Sequence, residues 1–231
     1  MMGAIVNAIC IVVGAGIGLI IHKGLSQRFS DIMMKGASLC VLVLGFQGAM
    51  KATDPILLIF SLTLGAIIGE ALNIELAMEK LSYRLEKMLV KNPQESRFAQ
   101  GFLSAIMIFC VGAMAIIGSL QSGLLGDHSM LYSKGIIDGI ISILLAATNG
   151  IGVMFSALAI LIYEGGMTLL AGQVGTYLSD PVIAAMSSTG SVLLIALALN
   201  MLEITSFKVM NYIPAVFLPI ILVPILAWLG L

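Results

Sequence analysis

Residues 133–171 contain only three charged side chains, Lys134, Asp138 and Glu164, in an otherwise mostly apolar stretch. About 20 residues cross the hydrocarbon of a bilayer, and a continuous helix over this stretch would be roughly 60 Å long. The stretch must therefore break, and residues 149–152 (NGIG) are where we predict the break. Glycine is unfavourable inside a helix, and Asn and Gly both tolerate turn conformations.

The composition of the whole chain indicates an all-α polytopic membrane protein. The 231 residues are 60% hydrophobic and 10% charged, and the mean hydropathy is +1.12. Soluble domains average about 45–50% apolar and about 25% charged residues. The apolar runs are long, whereas a membrane β-barrel would show alternating segments of about 10 residues. The net charge of −1 offers no basic surface for nucleic acid. The apolar composition makes the lipid bilayer the expected environment.

The hydrophobic pattern predicts a bundle of seven or eight transmembrane helices. Pro55 and Pro181 suit the first turn of a helix, where the missing N–H costs nothing. The three prolines of the last span, Pro214, Pro219 and Pro224, predict a kink there. The candidate spans are 2–21, 33–50, 55–72, 98–119, 133–147, 150–171, 181–202 and 212–229.

The distribution of Lys and Arg predicts that the N-terminus lies outside. With eight crossings, nine of the eleven cations fall inside, and Lys51 and Lys134 fall outside. If the fifth and sixth segments form one interrupted crossing, Lys208 changes side and the division becomes eight and three. Seven and eight crossings both remain open at this point.

Residues 73–92 (NIELAMEKLSYRLEKMLVKN) predict an amphipathic helix on the cytoplasmic side. Apolar side chains recur at helical spacing and face away from the Glu and Lys residues. Asn73 is the expected N-cap, and Pro93 ends the helix. Such a helix lies on the membrane surface or contacts a protein partner, and the pattern does not choose between these alternatives.

The chain is expected to form one transmembrane domain, 1–231, with a candidate internal repeat. Ser30-Asp31 and Ser179-Asp180 each precede a glycine and a span, which pairs a first repeat, 2–72, with a second, 150–229. The central spans, 98–147, lie between them. The repeat would be inverted with eight crossings and parallel with seven, and transporters use both designs.

The polar residues inside the spans are the candidate binding site for a small solute or ion. An acid within a bilayer is costly and usually faces a cavity or a partner. Asp138 and Glu164 are the principal candidates, with Asn149 at the break; the alternative for Asp138 is an i,i+4 ion pair with Lys134. The remaining candidates are Ser156, Tyr163, Asn7, Gln47 and Asn200.

The motifs of enzymes, cofactor sites and metal sites are not found in the sequence. His22 and His128 flank spans without a second ligand at a recognised spacing, and there is no HExxH, Gly-x-Ser-x-Gly or Walker loop. Cys10, Cys40 and Cys110 are separate residues within apolar runs, which predicts packing rather than a disulfide or metal role. We therefore expect no catalytic residues, no cofactor and no metal.

Several segments together resemble the YdfK/YqgA-like bacterial inner-membrane family, whose function is not established. They are FCVGAMAIIGSLQSGLLGDHSMLYSKGIIDGI, TNGIGVMFSALAILIYEGG, GEALNIE and NYIPA. The resemblance extends over nearly the whole chain and implies a bacterial plasma-membrane protein, but it supplies no functional residues.

The functional hypothesis from the sequence is a transporter of a small solute or ion that binds at the interrupted helix pair. A structural or assembly protein and a passive channel are the alternatives. Glycine pairs such as Gly14 with Gly18 allow close helix contacts, and with the amphipathic helix they predict a homodimer.

Overall fold

The computed structural model describes residues 1–22, 27–52, 54–89, 98–110, 113–175 and 177–229, which are almost entirely helical. A 3-10 turn (Val209–Tyr212) precedes the last two helices. The α-helices are α1 (Met2–His22), α2 (Gln27–Ala49), α3 (Pro55–Leu72), α4 (Ile74–Leu89), α5 (Phe98–Cys110), α6 (Ala113–Leu124), α7 (Ser129–Asn149), α8 (Gly152–Leu169), α9 (Ala171–Val174), α10 (Asp180–Met201), α11 (Ile213–Phe217) and α12 (Pro219–Leu229).

Six of these helices are long and apolar enough to cross a membrane: α1, α2, α3, α7, α8 and α10. Two further segments are long and apolar enough only when two bent parts are taken together. The first combines α5 with α6. The second combines the 3-10 turn and α11 with α12, so the number of candidate spans is as many as eight. The predicted all-α polytopic membrane fold is confirmed.

The predicted fourth span, 98–119, is not one straight helix. It divides into α5, which ends at Cys110, and α6, which begins at Ala113, and the two axes differ by 62°. The predicted fifth span, 133–147, was too short, because α7 extends from Ser129 to Asn149 and is 21 residues long.

The predicted break at residues 149–152 is confirmed. It is a turn between α7 and α8, each of which is long enough to cross a membrane. Gly150 has φ +76°, a backbone conformation that residues other than glycine rarely adopt. The opposite directions of the two helices follow from their contacts with α1. Along α1, Gly3 and Gly18 lie against Leu131 and Ala146 of α7, so these two helices are parallel.

The same helix α1 runs antiparallel to α8. Near its start, Met1 lies against Gly165, and further along, Gly16 lies near Met154. Therefore α7 and α8 run in opposite directions, and the alternative of one crossing interrupted at residues 149–152 is wrong.

Glycine allows α1 and α7 to pack at backbone distance. A Cβ added at Gly14 would overlap the carbonyl oxygen of Gly139, and one added at Gly18 would overlap that of Ile143. Ser142 on α7 also donates a 3.2 Å hydrogen bond from Oγ to the carbonyl oxygen of Ile11. The glycine pair of α1 is thus used inside the chain, where it fixes the position of α7.

Two more helix pairs are antiparallel and in close contact. Gly45 and Gly48 of α2 lie against Ile195 and Ser191 of α10, respectively. In α3, Gly65 lies against Ala215 of α11 and Gly69 lies against Asn211 of the 3-10 turn. With α1 and α8, these pairs join 2–72 to 150–229, but the repeat itself stays a prediction.

The last span is bent, as its prolines predict. The segment Val209–Phe217 and the segment Pro219–Leu226 meet at 45°. Pro219 begins α12 and Pro224 lies inside it, where a proline removes a backbone hydrogen bond.

The amphipathic segment forms α4, whose first two turns pack against the bundle. Ile74 and Met78 contact the main hydrophobic core, whereas Leu76, Leu81 and Tyr83 are exposed. Asn73 adopts φ 52° and ends α3 by donating its N–H to the carbonyl oxygens of Glu70 and Gly69. Residues 90–92 of the predicted helix, and Pro93 after it, lie outside the described residues.

Candidate functional site

Four polar side chains from three helices meet inside the bundle, and we call them the charged cluster: Asn7, Lys134, Asp138 and Glu164. Lys134 forms ion pairs with both acids; its Nζ contacts Asp138 Oδ2 directly and lies 3.3 Å from Glu164 Oε1. Asn7 Nδ2 lies 2.8 and 3.0 Å from the two carboxylate oxygens of Glu164. The same nitrogen lies 3.1 Å from Asp138 Oδ2. The structure therefore brings together three of the predicted site residues.

The cluster is enclosed by protein, although it belongs to helices that cross the membrane. Asn7 and Glu164 are 0% exposed, and Lys134 and Asp138 are 5% exposed. Asn7 is five residues into α1, and Glu164 is five residues before the end of α8. At 1.5 Å per residue, each lies roughly 8 Å from that helix end, so the cluster is in the half of the bundle where α1 begins.

The sequence places each member on the face that meets the others. Lys134 and Asp138 are one helical turn apart on α7. Gly135, between them, allows α1 to approach, because a Cβ added at Gly135 would lie only 3.1 Å from the Cα of Asn7. A Cβ added at Gly165, next to Glu164, would meet only the end of the Met1 side chain among the described residues. Small residues beside the charged ones thus let three helices meet around a polar centre.

The formal charges of the cluster do not cancel. One ammonium faces two carboxylates, so the fully ionised cluster carries a charge of −1. The Oδ1 atom of Asn7 is buried and has no hydrogen-bond partner in the described part of the chain. Buried polar atoms are nearly always paired, so the cluster has both an excess negative charge and an unused acceptor.

The end of α5 lies beside the cluster. The Cys110 side chain, at the last residue of α5, is close enough to Lys134, Glu164 and Asp138 to interact with them electrostatically. Both α5 and α6 pack against α8. A charged site next to a broken span is a recurring arrangement in transporters.

Asn149 does not belong to this cluster. It follows Asp138 by eleven residues on the same helix, which corresponds to about 16 Å along the axis. It lies near the turn to α8, where its Cβ faces Gly101 of α5. Both polar atoms of its side chain are buried without a partner among the described residues.

Ser156 and Tyr163 are on the same helix as Glu164, but only Tyr163 is near the charged cluster. Ser156 is fully buried, and its hydroxyl donates a 2.7 Å hydrogen bond to the carbonyl oxygen of Val153 in the preceding turn. Tyr163 is half-buried and is close enough to Cys110 and Glu164 to interact with them electrostatically.

Gln47 and Asn200 are both distant from the charged cluster. Gln47 is exposed near the end of α2. Asn200 closes the loop after α10: its Nδ2 donates to the carbonyl oxygen of Phe207 at 2.7 Å, and its Oδ1 accepts from Thr205 and from the Phe207 N–H. Asn200 therefore has a structural role that its position in the sequence did not reveal.

A second polar group attaches α4 to the bundle. Asn211 Oδ1 accepts the Glu75 N–H at 2.6 Å and so caps the start of α4, while Asn211 Nδ2 donates to Glu70 at 2.6 Å. The Glu75 carboxylate accepts the Met210 N–H at 3.0 Å. Partial burial raises the pKa of Glu75 above its usual value, and Lys208 pairs with Glu70 at 3.1 Å.

The three cysteines are free and do not form a ligand group. Cys40 is exposed, and Cys10 and Cys110 are half-buried, so the expectation that all three serve internal packing is wrong for Cys40. In the described residues, no three His, Cys, Asp or Glu side chains are grouped so that they could hold a metal ion.

Sequence reasoning identified Lys134 only as a partner of Asp138 and missed that it also pairs with Glu164. Internal matches in the sequence single out three members of the cluster, although not Lys134. Residues 4–9 (AIVNAI) match 135–140 (GIIDGI), which aligns Asn7 with Asp138, and residues 46–50 (FQGAM) match 163–167 (YEGGM), which aligns Gln47 with Glu164. Both matches single out polar residues in otherwise apolar segments.

Comparisons with known proteins agree with the resemblance seen in the sequence. Residues 2–224 match the family described as "Protein of unknown function (DUF554)". The uncharacterised membrane protein YdfK of Bacillus subtilis is 31% identical over 235 aligned positions, covering 100% of this chain and 99% of YdfK. The uncharacterised protein YqgA of Escherichia coli is 26% identical, covering 94% of each chain. No solved structure matches this chain significantly.

Proposed function

The chain belongs to the DUF554 family of membrane proteins, and we propose that it transports a small solute or ion through the charged cluster of Asn7, Lys134, Asp138 and Glu164. The observation that carries this proposal is the burial of three ionisable side chains in helices of spanning length. Charged residues within membrane helices are costly to insert and usually mark functional sites. A protein that needed only to pack its helices would be more easily built with apolar residues at these positions.

The surroundings of the cluster support transport over a purely structural role. The ion pairs connect α7 to α8, and the amide of Asn7 connects both to α1. The end of α5 adjoins the cluster, and the axes of α5 and α6 differ by 62°. Transporters commonly bind their substrate where a span is broken and helices from two halves meet.

Recruitment of a protein partner is the second candidate function, and the exposed surface of α4 favours it. A groove of about 540 Å³ lies beside α4 and is lined by Asn73, Glu75, Glu79 and Asn200 among others. Leu81 and Tyr83 of α4 are exposed. An assembly protein would need this surface and would not need the charged cluster. A passive channel is the third candidate and would need a continuous polar path.

We place the protein in the bacterial inner membrane, with eight crossings and the N-terminus outside. The parallel packing of α1 with α7 and its antiparallel packing with α8 agree with eight crossings. With eight crossings, nine of the eleven Lys and Arg residues lie on the side that would be cytoplasmic.

A homodimer is the proposed assembly. The glycine faces of α1 and α3 are occupied within the chain, so they no longer support it. The support comes from the spans α1, α2 and α3, of which only 22–33% is buried, compared with 44–61% for α7, α8 and α10. Gln47 also exposes a polar side chain on α2. A mass measurement in native detergent tests this proposal, and a 24.3 kDa species alone would contradict it.

The transport proposal is tested with the full chain in proteoliposomes, by recording charge movement on a supported membrane after rapid exchange of candidate solutes and ions. We expect a response in the wild type, its loss in Glu164→Gln, and its retention in Glu203→Gln. Glu203 is an exposed residue in the turn after α10, so it is a matched control. Equal responses from Glu164→Gln and the wild type would rule out the cluster as the site.

A further inference from the structure

Within the proposed function, on which this inference rests, we infer that the charged cluster binds and releases one proton at Glu164, and that the proton is the transported or coupled ion. The formal charges of the cluster do not balance. Lys134 and Asp138 form a close i,i+4 pair on α7, so Glu164 provides the second, excess carboxylate. Glu164 is 0% exposed, and an uncompensated buried charge is far more costly than a neutral carboxyl group.

The position of Lys134 favours a proton over a metal ion. The ammonium lies between the two carboxylates, where a metal ion would have to bind. A metal ion would therefore have to displace Lys134, whereas a proton attaches to a carboxylate oxygen without moving it. Among the described residues, no three His, Cys, Asp or Glu side chains are grouped so that they could hold a metal ion.

Asn7 can stabilise both protonation states. In the present arrangement its Nδ2 donates to the Glu164 carboxylate, which favours the ionised form. Its Oδ1 is the unused acceptor of the cluster, and rotation of the amide would let Oδ1 accept the O–H of a protonated Glu164. Uptake forms a Glu164 O–H bond and converts hydronium to water, and release to water reverses this on the other side of the membrane.

In the described part of the chain, few other groups face Glu164. α7 contributes Lys134 and Asp138, and α5 contributes the Cys110 thiol. The sequence of α6 contains no ionisable side chain, and α1 contributes the amide of Asn7. The neighbouring Tyr163 is on α8 itself. Titration of the cluster therefore depends mainly on the three charged side chains.

Infrared difference spectroscopy of the full-length protein in liposomes tests the inference directly. We expect a C=O stretching band of a protonated carboxyl group that titrates as one proton per chain. Labelling with ¹³C-carboxyl glutamate should move this band to lower wavenumber, a result that requires no mutation. Glu164→Gln should remove the band and Glu203→Gln should retain it.

Three results would overturn the inference: no protonated band at any pH where the protein stays folded, a band that does not respond to glutamate labelling, or a band removed by Na⁺ at constant pH. The proposed function is judged separately by the charge-movement recordings. A titrating Glu164 without any transport would refute the transporter proposal and leave proton binding intact. Transport that requires Glu164 without a protonated band would refute proton binding alone.

Discussion

Asn7 and Glu164 are 157 residues apart in the chain, yet the amide nitrogen of one lies 2.8 and 3.0 Å from the two carboxylate oxygens of the other. This contact joins the first helix to α8 inside a bundle of membrane helices. Hydrogen bonds to charged groups contribute about 1.5–3 kcal/mol, so the pair both positions Glu164 and stabilises its ionised form.

Lys134→Met should destabilise the protein strongly at neutral pH, because it leaves two buried carboxylates without their cation. The expected loss is about 3–5 kcal/mol in the free energy of unfolding, as for other buried pairs that lose one partner. Asp138→Asn should lower the free energy of unfolding by less, because Lys134 keeps its 3.3 Å ion pair with Glu164. Thermal unfolding in detergent measures both effects.

The double variant Lys134→Met/Asp138→Asn should be more stable than Lys134→Met alone, because it removes one of the two unpaired charges. A double-mutant cycle isolates this coupling. If the two effects simply add, the buried ion pair does not contribute to stability in the way that the structure implies.

Gly14→Ala should destabilise the contact between α1 and α7, whereas Gly16→Ala should not. A Cβ at residue 14 would overlap the carbonyl oxygen of Gly139, but a Cβ at residue 16 would meet only the end of Met154 at 3.8 Å. Overpacking costs about 1–3 kcal/mol, while replacing a helical Gly by Ala gains up to about 1 kcal/mol. Unfolding measurements that find similar effects for both variants would contradict the close packing.

Asn211→Ala should loosen the first turn of α4, because it removes the 2.6 Å hydrogen bond to the Glu75 N–H. Loss of a cap costs about 1 kcal/mol, which corresponds to roughly fivefold faster amide exchange in that turn. Hydrogen exchange with mass spectrometry measures it. Glu79→Ala, at an exposed position on the same helix, is the control and should leave the exchange rate unchanged.

The attachment of α4 should also depend on pH through Glu75. Burial raises the folded-state pKa of Glu75 above 4.5. The contribution of Glu75 to the stability of the folded protein is therefore fully present below pH 4.5 and is lost as the pH rises through the folded-state pKa. Glu75→Gln, which is neutral throughout, should match the wild type at about pH 4 and exceed its stability at about pH 8. The opposite order at high pH would show that the Met210 N–H outweighs burial.

Cysteine labelling should place residue 127 outside and residue 79 inside. In a background without Cys10, Cys40 and Cys110, Asp127→Cys should react with an impermeant maleimide in intact cells or spheroplasts. Glu79→Cys should react only after permeabilisation. The reverse pattern would invert the proposed orientation and move the charged cluster to the cytoplasmic half.

The sequence was sufficient to predict most of the helices, because apolar runs of spanning length leave few alternatives. The division at Cys110 was not predictable from composition, since residues 98–119 are mostly apolar and contain no charged side chain. The direction of α8 was also ambiguous in the sequence. The number of Lys and Arg residues on the cytoplasmic side differs by only one between the models with seven and eight crossings. Contacts of α1 with α7 and α8 resolved it.

The candidate site was predicted in part. Asp138 and Glu164 stand out because acids are rare within spans, but nothing in their local sequence shows that Lys134 contacts both. Asn149 looked equivalent because it marks the break, yet a position about 16 Å along the helix places it near the other end of α7. Which polar residues meet is decided by helix packing, and local sequence patterns do not contain that information.

The pairing of Asn7 with Asp138 also constrains the order of events during synthesis. The two residues are separated by 131 positions, and at about 5–20 residues per second the ribosome needs roughly 7–26 s to reach the second after the first. Throughout that interval α1 holds a polar amide whose permanent partners do not yet exist. The contacts of Asn7 with α7 and α8 therefore form only after more than half of the chain has been synthesised.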